Sequence, residues 1–120
     1  MNSTTAARIA AIYGFTAVAL GAFGAHGLKN ILEANGTTAT WQTGALYHLV
    51  HAGVLLVVSW RDPLPVWAWR LFAAGMLIFS GTLYLLAVTN VKWLGAITPI
   101  GGLCLLGGWL ALVFTGARKN

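Results

Sequence analysis

The sequence predicts an all-α membrane protein: four transmembrane helices in a bundle, with a short amphipathic interfacial helix between the first and second spans. Three observations predict it. Of 120 residues, 58% are hydrophobic and only 8% are charged, against about 25% charged in soluble domains. A soluble chain of this size cannot hide so much apolar surface, because small domains keep a large share of it exposed. Four apolar stretches each reach the roughly 20 residues that a span requires, and polar or proline-containing breaks separate them. The length suits one domain, residues 1–120.

The first span is predicted over 6–25, interrupted only by Arg8 near its start. Ala22-Phe23-Gly24 has small residues at a cleavage-like spacing, but the run is long enough to span and is expected to be retained. In the connection that follows, Leu28, Ile31 and Leu32 fall on one helical face and Lys29, Asn30 and Glu33 on the other. This pattern, stopped by Asn35-Gly36, predicts a short helix lying at the membrane surface. Thr40 is the predicted N-cap of the second span, 41–60. Arg61-Asp62-Pro63-Leu64-Pro65 is a turn that no helix continues through. The third span covers 66–88, with Arg70 one turn inside its start. A tight polar turn, Thr89-Asn90-Val91-Lys92, leads to the fourth span, 93–115, and to a short basic tail.

With four spans, the termini and the second loop share one side. That side carries Arg8, Arg61, Arg70, Arg118 and Lys119; the other carries only Lys29 and Lys92. The excess of basic residues predicts that both termini are cytoplasmic in a bacterial inner membrane. Trp60, Trp67 and Trp69 then form an inner aromatic belt, and Trp41 and Trp93 mark the outer boundary. The formal charge of +5 is spread as single basic residues beside apolar runs. It fits lipid headgroups and topology, with no nucleic-acid partner. Cys104, the only cysteine, excludes an intrachain disulfide and reads as a small buried hydrophobe.

Helices in lipid pack closely through small residues. Ala7, Gly14, Gly21 and Leu28 recur every seven residues on the first span; Gly101 and Gly108 do so on the fourth, flanked by Gly102 and Gly107, and Gly75 and Gly81 lie on the third. These stripes serve either packing within the chain or a face for a second subunit.

Polar residues inside the spans form one candidate pocket: His26, Tyr47, His48, His51, Ser80, Tyr84 and Thr98. His48 lies ~10 Å below the outer start of its span, and His51 one turn deeper on the same face. Ser80 and Tyr84 fall within ~12 Å of the outer end of the third span, and Thr98 ~8 Å in from that side. Polar groups are costly in lipid unless paired, so these are expected to point inward and meet in the outer half of the bundle. Four readings follow: an interhelical hydrogen-bond network, a small-solute or ion pocket, a metal site on His26, His48 and His51, and haem ligation. Two histidines on one helix cannot hold opposite faces of one haem. The only acids, Glu33 and Asp62, lie in connections, so no carboxylate relay is available within the membrane. No metal or other cofactor is predicted. Pro99, with Gly101 and Gly102 after it, predicts a kink or break inside the fourth span.

Several motifs together carry a resemblance. Gly21-Ala22-Phe23-Gly24-Ala25-His26-Gly27-Leu28, Trp41-x-Thr43 with Tyr47-x-x-x-His51, Phe79-Ser80-Gly81-Thr82-Leu83-Tyr84, Thr98-Pro99-Ile100-Gly101-Gly102 and Gly108-Trp109 resemble the YgdD-like family of small bacterial membrane proteins, which has TMEM-type relatives in animals. The resemblance covers about residues 7–115. It implies a four-helix inner-membrane protein and carries over no catalytic residue. In that pattern His26 and His51 match, while position 48 is often Gln, which favours hydrogen bonding over metal ligation. Function is therefore expected to be non-enzymatic, through lipid, other membrane proteins or a second copy. A solute or ion carrier comes next, then a metal- or haem-binding redox subunit.

Overall fold

The computed structural model describes residues 1–115, so the basic tail with Arg118 and Lys119 lies outside the described residues. The helices are α1 (Ser3–Ala25), α2 (Lys29–Asn35), α3 (Thr38–Ser59), α4 (Val66–Thr89) and α5 (Thr98–Phe114), with a 3-10 turn over Lys92–Ala96. Four segments, α1, α3, α4 and the 3-10 turn with α5, are long and apolar enough to cross a membrane. The chain is an integral membrane protein with four spans.

Local chemistry sets the ends. Asn2 Oδ1 accepts from Thr5 N at 2.8 Å and starts α1 three residues before its apolar run. Gly36, at φ 68°, takes the left-handed conformation that ends α2. α3 begins at Thr38 rather than at a Thr40 cap, and Thr37 is used otherwise: its hydroxyl donates to Ala87 O. Asn35 Nδ2 donates to Ala87 O and Val88 O. The α2–α3 connection thus satisfies carbonyls that the end of α4 leaves without helical partners. Leu32 anchors α2 by packing with Trp41 and Ala87, while Ile31 stays exposed.

The expected break in the fourth span is present, but it lies before α5 rather than within it. The fourth span is not one helix with an internal kink: it is a 3-10 turn followed by α5, and Pro99 lies in the first turn of α5. A proline there costs no helical hydrogen bond, because first-turn amides have no partner in their own helix. α5 alone is ~26 Å long, and the 3-10 turn makes up the remaining thickness.

Packing forms an open, two-helix-thick arrangement. α3 and α4 pair at the centre, α1 lies on α3, and α5 lies on α4. The smallest Cα extent is 18 Å, about two helix spacings of ~8–10 Å. Among the described residues the α1 and α4 backbones do not approach closely, nor do those of α3 and α5; side chains bridge both seams. Gly75, Gly101 and Gly108 permit close α4–α5 contact: a Cβ on Gly75 would lie 2.9 Å from Leu105 N, and one on Gly108 would lie 2.9 Å from the Phe72 ring. On α1, however, the buried stripe is Ala6, Ala10, Ala17 and Gly24. Gly14 and Gly21 would meet nothing within 4 Å, and Gly81 is equally open. Gly14 and Gly21 of the heptad therefore lie off the packed face, while Leu28 packs against the Leu32, Trp41 and Ala87 cluster.

The tryptophans divide in the same way. Trp60, Trp67 and Trp93 are exposed, as boundary residues should be. Trp41 and Trp69 are buried instead. Each indole N–H finds an internal acceptor, Leu20 O at 3.0 Å and Ser59 Oγ at 2.9 Å.

Candidate functional site

The two midspan histidines share a face of α3 but reach different neighbours. His48 is held between α1 and α4: its Nε2 lies 3.3 Å from Thr16 Oγ1 and its Nδ1 2.9 Å from Tyr84 Oη. The Thr16 hydroxyl also reaches Ile12 O and Tyr13 O. When its hydrogen goes to either carbonyl, His48 Nε2 donates to Thr16 and Nδ1 accepts from Tyr84. Tyr13 packs edge-on to His48 and donates to Ala73 O at 2.8 Å, tying α1 to α4 across α3.

His51 faces α5. The Trp109 indole donates to His51 Nε2 at 3.1 Å. An indole N–H can only donate, so Nε2 accepts and Nδ1 carries the hydrogen given to Tyr47 O at 2.8 Å. Both ring nitrogens are used with the imidazole neutral. The Tyr47 ring stacks near His51 and packs on Phe79, while Phe72 lies against both His51 and Trp109.

The predicted pocket is therefore not one cluster. The structure brings His48 to Tyr84 and His51 to Tyr47. Ser80 donates to Gly44 O at 2.8 Å, linking α4 to α3. Thr98 pairs with Thr82 at 2.7 Å, nearer the end of the bundle. His26 stands apart, exposed at the end of α1 where its backbone caps the helix; it cannot join the other histidines. Gly101 packs on Phe79, while Pro99 and Gly102 line the groove beside His51 and Trp109. Because α3 starts at Thr38, His48 lies ~15 Å and His51 ~20 Å along it, in the middle of the helix.

Sequence reasoning missed Tyr13, Thr16, Trp41 and Trp109 as network members. Tyr13 and Thr16 carry the same three-residue spacing as His48 and His51, a signal available on the first span. Among the described residues no three His, Cys, Asp or Glu side chains gather as metal ligands. Every buried side-chain nitrogen and oxygen among them has a hydrogen-bond partner. Several spaces adjoin these groups, among them a cavity of about 230 Å³ beside His48 and Tyr84, an apolar groove of about 500 Å³ beside His51 and Trp109, and a cavity of about 320 Å³ where α1, α2 and α3 meet.

Known proteins match along nearly the whole chain. A family described as "Protein of unknown function (DUF423)" matches residues 20–102. The chain is 39% identical to "UPF0382 membrane protein YwdK" of Bacillus subtilis (strain 168), covering 92% of this chain and 94% of that protein. It is 41% identical to a "UPF0382 membrane protein" of Haemophilus influenzae, covering 93% and 92%. It is 40% identical to "UPF0382 inner membrane protein YgdD" of Escherichia coli (strain K12), covering 92% and 86%. No solved structure matches. With its four spans and its midspan histidines held by aromatic and hydroxyl partners, the chain belongs to the DUF423 family of membrane proteins, whose function is unknown.

Proposed function

We propose that the protein is a non-enzymatic inner-membrane protein that acts by binding protein or lipid partners, with both termini in the cytoplasm. One observation carries the reading: the buried polar side chains of the spans are engaged by groups of the same chain. Both nitrogens of His48 and of His51 have partners, so their hydrogen-bonding capacity is used in joining helices. The five-to-two distribution of basic residues supports the orientation, and the E. coli relative bears an inner-membrane name. A second reading, a small-solute carrier, draws on the cavity beside His48 and Tyr84.

Elemental analysis and an absorption spectrum of protein purified in mild detergent test the first reading against redox chemistry. The expected result is no stoichiometric metal and no chromophore band; either one would overturn it. For the orientation, a carboxyl-terminal fluorescent-protein fusion should fluoresce, and a phosphatase fusion at the same end should be inactive. The reverse pair would refute it.

A further inference from the structure

The cavity of about 320 Å³ at the meeting of α1, α2 and α3 has an unusual lining for a chain with only two acids. Lys29 and Glu33 line it from α2, Thr38, Trp41 and Gln42 from α3, and Gly21 from α1. Lys29 and Glu33 are four apart, so they share a face of α2, ~6 Å apart along its axis. Both are exposed, and neither forms an ion pair among the described residues. Their placement does not serve the helix. Lys29 sits in the first turn and Glu33 in the last, and α2 has no acid in its first turn and no base in its last. Peptide dipoles oppose both positions, and lysine preceding glutamate is the weaker order for such a pair. A ligand with an anion beside Lys29 and an ammonium beside Glu33 accounts for both charges.

We propose that this cavity binds the headgroup of a zwitterionic aminophospholipid, of the phosphatidylethanolamine kind. Lys29 and the Gln42 amide donate to the phosphate, and Glu33 accepts from the ammonium. α2 joins two spans at the membrane surface, the depth where headgroups lie. Gly21 lines the cavity and Gly14, seven residues before it, lies on the same face of α1, and no neighbouring segment comes within 4 Å of where either Cβ would be. That face offers a trough for an acyl chain. The inference goes beyond the proposed function and does not depend on it, because the cavity includes neither His48 nor His51: metal at the histidines would leave it standing.

The test is native mass spectrometry of the full chain in detergent, titrated with phosphatidylethanolamine, phosphatidylcholine, phosphatidylglycerol and free phosphoethanolamine. Phosphatidylethanolamine should bind about tenfold more tightly than the other two lipids, which is ~1.4 kcal/mol. Phosphatidylcholine has no N–H to give Glu33, and phosphatidylglycerol has no ammonium. Glu33→Gln should erase the preference over phosphatidylcholine, and Lys29→Met should weaken all three lipids. Lys92→Met, a lysine outside the cavity, should change nothing. Both cavity substitutions are at exposed positions, so folding is not at stake. Equal binding of the three lipids, or a preference that survives Glu33→Gln, would overturn the proposal. Free phosphoethanolamine competing at the lipid's own concentration would assign the site to a soluble zwitterion and overturn the lipid.

Discussion

The two flanking helices are attached by different means. α5 rests on α4 mainly by shape: Thr98, Gly101, Leu105 and Gly108 form its buried stripe, and Gly101 and Gly108 receive Phe79 and Phe72. Its polar links are Thr98 to Thr82 and Trp109 to His51. α1 rests on α3 through small residues as well, but more of its hold is polar. Tyr13 reaches Ala73 O, Thr16 reaches His48, and Leu20 O receives Trp41. Lipid gives helices no hydrophobic reason to associate, so each flank needs one of these devices. The comparison shows that steric fit leaves little room for substitution, while hydrogen bonds distribute the attachment over several weak links.

That contrast predicts a graded series, measured as unfolding free energy in detergent or bicelles. The largest effect belongs to Gly101→Val. Its Cβ would meet the Phe79 backbone, with Phe79 Cα 2.8 Å away, and overpacking should cost about 3 kcal/mol. Trp109→Phe keeps an aromatic side chain but leaves His51 Nε2 without its donor, and should cost about 1 kcal/mol. Thr16→Val removes one of several polar links to α1 and should cost about 0.6 kcal/mol, near the average for such bonds in a membrane. Gly14→Ala faces open space and should change stability by less than about 0.5 kcal/mol. A loss for Gly14→Ala as large as that for Gly101→Val would mean that the open α1 face is packed against a second copy, and would break the contrast.

The four spans were legible because hydropathy and length report directly on the solvent a helix occupies. Helix ends were less so. The polar first turn of α1 is invisible to hydropathy, and only the Asn2 cap reveals it. The α1 packing stripe could not be chosen from sequence, because Ala6, Ala10, Ala17 and Gly24 compete with Ala7, Gly14 and Gly21 on neighbouring faces, and only the partner helix decides. Trp41 and Trp69 read as boundary residues because an indole suits both places; burial depends on an acceptor from another segment, Leu20 O or Ser59 Oγ. The midspan site was half legible. His48, His51, Ser80 and Tyr84 stood out as polar residues in apolar runs, yet their division between two seams depends on which neighbours α3 meets on each side. His26 was misleading for a local reason: it lies where α1 ends, so its backbone serves the helix and its side chain leaves the bundle.

The proposed role of the midspan histidines is that they spend their hydrogen bonds on neighbouring helices. A double-mutant cycle across His51 and Trp109 tests it most directly, using His51→Ala, Trp109→Phe and the pair in the same bicelles. A favourable coupling of about 1 kcal/mol is expected, in the range of interhelical hydrogen bonds in membranes. Additive effects, with no coupling beyond experimental error, would contradict it.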